Sequence, residues 1–376
     1  MPANFTLGIE EEFQLVNRQT GQLQSYIEAL LEKGQSLLGE EIKAEYFQSM
    51  VEVTTGVCPN IQVASRELRT KRMLLAQLVQ EDGVMLISAG THPSSPWQMQ
   101  QRTKGAHYQQ LEDHLQDLAR SSVCFGLHIH VGMEDREQAI ILINQLRTWI
   151  PHLLALSSNS PFIEGRMTGF KAYRPVLWGQ VFARHGVTPG IFTSWADFEQ
   201  YVENLSITGC ITGSREICWD IRPNSRYRTI EFRICDMPAT LDDTLLLVAL
   251  CQALVAKLAW LYKQQRASAV LPREYIEENK LMAARDGLDA EIVDFVRMSR
   301  LSMRDALYEL LDFVDDVIDD LGSRALIDRF HMLLASNLYK TGADRQLQIY
   351  QQTGDIKQVI QFLMDQTVDG IKIASR

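Results

Sequence analysis

Gly126-Leu-His-Ile-His-Val-Gly132 alternates apolar and ionisable side chains at a period of two. Residues i and i+2 of a strand share a face. His128 and His130 therefore stand together, and Leu127, Ile129 and Val131 point the other way. Three further stretches repeat the pattern. Leu7-Gly-Ile-Glu-Glu-Glu-Phe13 places Glu10 and Glu12 on one face, with Ile9, Glu11 and Phe13 opposite. Thr229-Ile-Glu-Phe-Arg-Ile-Cys235 pairs Glu231 with Arg233. Glu52 alternates with Val51 and Val53, and Glu45 lies upstream of it. Any half-exposed sheet shows polar alternation, so a lone Glu-x-Glu or His-x-His says little. Four such strands in one chain predict that the ionisable faces converge while the apolar faces pack on helices.

Convergence brings Glu10, Glu12, Glu45, Glu52 and Glu231 into one hollow. Carboxylates that close resist joint ionisation, at a cost of several kcal/mol unless cations neutralise them. Hard oxygen donors select Mg²⁺ or Mn²⁺, and an imidazole among them tilts slightly toward Mn²⁺. No phosphate-binding Gly-x-x-x-x-Gly-Lys-Ser/Thr loop, Gly-x-Gly-x-x-Gly turn or Gly-x-Ser-x-Gly elbow is present. Carboxylates, histidines and a nearby arginine suit phosphoryl transfer with metals on the nucleotide phosphates.

Outward from these strands, the pattern predicts helices over Tyr26–Leu38, Ile61–Glu81 (capped by Asn60), Tyr108–Arg120, Arg136–Leu156 and Trp195–Leu205. Strands are predicted over Phe5–Val16, Met50–Thr54, Val84–Ala89, Val123–Gly132, Cys218–Arg222 and Thr229–Cys235. Asn159–Thr193 reads as one long functional loop. After Asp236 the chain reads as almost wholly helical, with about six helices, so residues 1–240 form a mixed part and 241–376 a mainly helical part of a single catalytic domain. Strands alternating with helices would by themselves favour a parallel sheet.

A chain of 376 residues with 46% hydrophobic residues has ample core and needs no disulfides. Its net charge of −10 excludes general nucleic-acid binding, which needs a basic footprint. The longest apolar runs, Ile140–Ile143 and Leu245–Leu250, fall short of a membrane span, and the first residues lack signal-peptide character. The six cysteines show no C-x-x-C pairing and read as reduced thiols of a cytoplasmic protein.

Six motifs occur in one order: Gly8-Ile-Glu-Glu-Glu-Phe13, Gly90-Thr-His-Pro93, Gly126-Leu-His-Ile-His-Val-Gly132, Ser158-Asn-Ser-Pro-Phe162, Trp219-Asp-Ile-Arg-Pro223 and Ile230-Glu-Phe-Arg-Ile-Cys-Asp236. Over about residues 5–260 the chain resembles the carboxylate–amine ligases of the type-2 glutamate–cysteine ligase family and, more distantly, the catalytic half of glutamine synthetase. The resemblance implies an α+β fold with a curved antiparallel sheet of about six strands flanked by helices. It implies ATP and two or more Mg²⁺ or Mn²⁺ ions. Glu10, His128 and Glu231 would hold one ion, and Glu12, Glu45 and Glu52 another, with Glu40 and Glu41 as rivals of Glu45. Arg233 would meet the transferring phosphoryl group, Arg222 would lie near phosphate or substrate, and His130 would serve the nucleotide. A carboxylate, glutamate by resemblance, would attack ATP to give an acyl phosphate, and an amine would then form the amide. Relatives of this kind imply a homodimer or higher oligomer.

His92, Arg174 and Trp219 are further substrate-side candidates, with an exposed loop histidine, a surface ion pair and a core tryptophan as their plainer readings. Trp178 is treated like Trp219. The competing reading is a metal-dependent hydrolase or cupin-like enzyme without ATP, because His128-x-His130-x-x-x-Glu134 matches part of a cupin metal spacing. Glu134-Asp-Arg-Glu137 instead reads as a helix start.

Overall fold

The computed structural model describes residues 5–179, 184–266 and 268–371. Its main sheet is built from β1 (Leu7–Asn17), β2 (Ile42–Ala44), β3 (Met50–Thr54), β4 (Val84–Ile87) and β5 (Leu127–Gly132). After the small hairpin β6 (Phe162–Ile163) and β7 (Arg166–Met167), β8 (Ile221–Asn224) and β9 (Thr229–Phe232) complete it. The order is β2-β3-β1-β5-β9-β8, with β4 also paired to β1. Every pairing in it is antiparallel. This is the antiparallel sheet that the resemblance implied, against the parallel tendency of strand–helix alternation alone, and it has seven strands among the described residues. β1 is long enough to take β5 along Leu7–Glu11 and then β4 along Gln14–Asn17, both on the edge opposite β3.

The apolar face of the sheet is covered by helices Ile61–Gln80 and Leu241–Lys263. Asn60 caps the first as expected, its Oδ1 accepting from Val63 N at 3.0 Å. Glu11 belongs to this apolar side, and Arg72 of the Ile61–Gln80 helix neutralises it. Arg72 Nε donates to Glu11 Oε2 at 3.0 Å, and Thr244 of the covering helix adds a hydroxyl at 3.1 Å. Both charges are essentially sealed from water.

Two helical stretches, Arg136–Ser157 and Leu241–Lys263, are long and apolar enough to cross a membrane by length and composition. Interruptions such as Gln252 and Lys257 hid this in a search for unbroken runs. Both are mostly buried inside the protein, as core helices are. The first is two helices, Arg136–Leu146 and Ile150–Ser157, joined by a 3-10 turn.

The C-terminal part is mainly helical, with six helices from Leu241 onward and one small hairpin among the described residues. Strands β10 (Glu291–Asp294) and β11 (Ser299–Ser302) form a hairpin there, turned by Met298 in the left-handed region at φ 54°. The expected long loop also carries β6, β7 and a short helix, Arg174–Trp178. The expected helix over Tyr108–Arg120 breaks at Gln116 (φ 51°) into Ala106–Leu115 and Asp117–Ser121. All six cysteines are free.

Candidate active site

Residues directly opposite in paired strands share a face, so the register alone gathers the polar side chains. Lys43 lies opposite Glu52, and Glu52 opposite Glu12. Glu10 lies opposite His128. His130 lies opposite Glu231, and Glu231 opposite Arg222. Glu10, Glu12, Glu45 and Glu52 converge as expected, whereas Glu231, also expected in that hollow, does not line it. A cavity of about 220 Å³ opens over this face. Glu10, Glu12, Glu45, Glu52, His128, Arg174 and Arg233 line it, and helices Ala106–Leu115 and Asp117–Ser121 supply its other wall.

Two groups of three side chains have ligand atoms within 4.8 Å of one another: Glu10, Glu52 and His128, and Glu12, Glu45 and Glu52. Glu52 belongs to both. Burial pushes the carboxyls of Glu12, Glu45 and Glu52 above their ordinary range, most strongly at Glu45, where the charges of Glu52 and Glu12 add to it. At Glu52 the repulsion of Glu10 adds to burial, and Lys43, donating to Oε1 at 2.8 Å, opposes it. Burial would raise Glu10 as well, but His128 at 3.0 Å and His130 at 3.3 Å hold it well below the usual range. His128 falls to about 4 through burial and the nearby Arg233 charge. Its Nε2 is buried without a hydrogen-bond partner, 3.7 Å from Glu12. Crowded carboxylates around a neutral imidazole nitrogen with nothing to bond fit a hard divalent cation.

The grouping of close ligand atoms differs from the expected one. Glu231 does not join Glu10 and His128; Glu52 takes that place. Glu231 is filled by protein donors: Arg222 bonds both its oxygens at 2.9 and 3.0 Å, Asn224 adds a bond at 2.9 Å, and Arg233 adds another. Burial opposes its charge, yet Arg233 and Arg222 hold it far below the ordinary carboxylate range. Glu231 thus fixes Arg233, whose Nη1 also reaches within 3.5 Å of His128 Nδ1. Arg222 stands outside the cavity wall, spent on Glu231 and on the carbonyls of Arg215 and Ile217. His130 is likewise outside that wall, with Nδ1 2.9 Å from Thr229 Oγ1. Neither faces the cavity.

Glu45 is separated from its rivals, since Glu41 pairs with Lys71 at 3.0 Å and Glu40 is exposed. Arg174 lines the cavity and donates to the carbonyls of Arg233 and Ile234 at 3.2 and 3.4 Å. Gly126 makes room for it: a Cβ there would meet Arg174 Nη2 at 2.2 Å. Trp178 lines the cavity.

Two substrate-side expectations fail. His92 is buried in its own turn, with Nε2 2.8 Å from Gly21 O and Nδ1 accepting from Ser94 N and Ser95 N. Trp219 is core, packed among Phe192, Phe198 and Tyr201. The cupin-like reading also fails: β5 ends at Gly132, the sheet is open, and Glu134 is exposed beyond it.

Lys43, Asn224 and His185 also reach this face or its cavity, with no motif in the sequence to mark them. Lys43 sits on a three-residue strand too short to show alternation. Asn224 sits in a turn-like stretch, and only the β8–β9 register places it beside Glu231.

The family model described as "Glutamate-cysteine ligase family 2(GCS2)" matches residues 6–361. The chain belongs to glutamate–cysteine ligase family 2. A protein of Solibacter usitatus named "Putative glutamate--cysteine ligase 2" is 42% identical over 369 residues, covering 98% of this chain and 94% of the relative. One of the same name from Roseiflexus sp. is 43% identical over 367 residues, covering 98% and 96%. The fold is similar to that of a glutamate–cysteine ligase of Francisella tularensis, solved in complex with AMP. That match has a TM-score of 0.71 at 12% identity, over 97% of this chain and 89% of that one. Membership of glutamate–cysteine ligase family 2 makes the chain an ATP-dependent carbon–nitrogen ligase.

Proposed function

We propose that the chain joins the carboxylate of an amino acid, glutamate being the acid its family name points to, to an amine through an acyl phosphate. A carboxylate oxygen bonds the γ-phosphorus of ATP as the bridging P–O bond breaks, releasing ADP. The amine nitrogen then bonds the acyl carbon, the C–O bond to phosphate breaks, and phosphate leaves with that electron pair while the nitrogen gives up a proton.

The single observation that carries this reading is the pair of ligand groups sharing Glu52 beside Arg233 and Arg174 in one cavity. Glu10, Glu52 and His128 would hold one divalent ion, and Glu12, Glu45 and Glu52 a second. Bound Mg²⁺ or Mn²⁺ would supply charge neutralisation at phosphate oxygens. The chain's own residues do the rest. Arg233, locked by Glu231, aims a preorganised cation at the transferred phosphoryl group. Arg174 offers a guanidinium to the acid's second carboxylate. No side chain need act as nucleophile, because holding two anions in contact is the main task.

The test is isotope transfer. Glutamate labelled with ¹⁸O in its side-chain carboxylate should deliver one label to inorganic phosphate during turnover with ATP and Mg²⁺. Amide formation with unlabelled phosphate would overturn the acyl-phosphate route, and no turnover with glutamate would overturn the choice of acid.

A further inference from the structure

We infer that the amine half of the reaction takes a primary amine with an apolar body and no carboxylate. This rests on the ligase reading above and narrows it. The cavity has two unlike walls. The carboxylates stand on the sheet side with Arg174 and Arg233, the only two guanidinium groups that line it among the described residues. The facing wall is Leu111, Leu115 and Leu118, with Phe47 and Met50 beside them. Leu111 and Leu115 are four residues apart on one helix and so share a face. All three leucines are only half-buried, so their remaining surface is available to a ligand.

The cations are committed before an amine arrives. Arg233 is held by Glu231 beside His128, where the phosphoryl group reacts. Arg174 is the one other guanidinium, and the acid substrate's unreacting carboxylate needs it. Arg102 and Arg120, near Tyr46, both close on Glu112 at 2.7 and 3.0 Å. His185 lines the cavity as a neutral imidazole, lowered to about 4 by burial and by the arginines around it. His107 is exposed. A carboxylate on the amine would therefore be desolvated against leucines without a partner, which is unfavourable. An apolar body gains about fourfold per methylene buried there.

The experiment compares amines that differ only by a carboxylate: cysteamine against cysteine, and isoamylamine against leucine, each with glutamate, ATP and Mg²⁺. Amide product is quantified by mass spectrometry. The decarboxylated member of each pair should have a kcat/KM at least tenfold higher. Ethylamine, propylamine and butylamine should rise about fourfold per step. Equal or better use of cysteine and leucine would overturn the inference. Hydroxylamine has neither body nor carboxylate, so glutamyl hydroxamate reports acid activation alone. Its absence would sink the ligase reading, whereas its presence with a preference for cysteine sinks only the narrower claim. Leu118→Lys, and Leu111→Arg as a second variant, should shift the paired ratio toward the carboxylated amine by at least threefold. A ratio unmoved in both folded variants would show that this wall does not meet the amine.

Discussion

Glu45→Gln tests the cluster on which the site reading depends. Glu12, Glu45 and Glu52 present oxygens within 4.8 Å of one another. At an effective dielectric constant near 20, each ionised pair at that separation repels by about 3.5 kcal/mol. Glu45 takes part in two such pairs, and burial and repulsion raise its carboxyl well above the ordinary range. The folded chain thus keeps a proton that the unfolded chain sheds. Metal-free stability must fall as pH rises from the ordinary carboxylate value through the raised one. In EDTA, the wild-type melting temperature should decline over that window, and Glu45→Gln should decline less. Divalent ions reverse the sign. At a hundred times its Kd, Mg²⁺ adds about 2.7 kcal/mol. A chain of 376 residues has a melting entropy of about 0.8 kcal/mol/K, so the rise is about 3 °C. If Glu45→Gln weakens binding a hundredfold, the same Mg²⁺ raises it by about half a degree. Scanning fluorimetry across pH, with EDTA, Mg²⁺ and Mn²⁺, reads all of this. A wild-type melting temperature flat in pH and indifferent to both ions would refute the reasoning.

Gly126→Ala should displace Arg174, because the new Cβ collides with its guanidinium. We expect kcat/KM for the acid to fall about a hundredfold, measured by steady-state ADP release. Arg72→Met should cost about 3–5 kcal/mol by stranding the buried Glu11 charge, and adding Glu11→Leu should restore most of it in urea unfolding. His92→Ala should lower stability by about 1–3 kcal/mol, leaving Ser94 N and Ser95 N without their acceptor. Its kcat and KM should stay near wild type; a specific rise in substrate KM would return His92 to the site.

The alternating strands were legible because period-two patterning is local: Glu10, Glu12, His128, His130, Glu231 and Arg233 are recognisable from their apolar neighbours alone. So were the mainly helical C-terminal part and the crowding of carboxylates on one face. Register, strand direction and the grouping of ligand atoms were not, because they depend on which strands pair, and β1 meets β5, and β5 meets β9, across about a hundred residues of chain. Only the antiparallel pairing of β3 with β1 and β2 sets Glu52 between Glu12 and Lys43, and only that of β1 with β5 sets Glu10 against His128. Glu231 shows the difference most directly. Its place in a strand declares a polar face, but its oxygens are taken by Arg233, two residues along the same face, and by Arg222, which lies opposite it across β8 and β9. His92 and Trp219 read like site residues by neighbourhood, and burial in distant packing gave them structural work instead. Composition and periodicity determined which side chains are polar on a sheet; strand pairing, local in the β2–β3 and β8–β9 hairpins but long-range and costly in chain entropy between β1, β5 and β9, decided which of them meet.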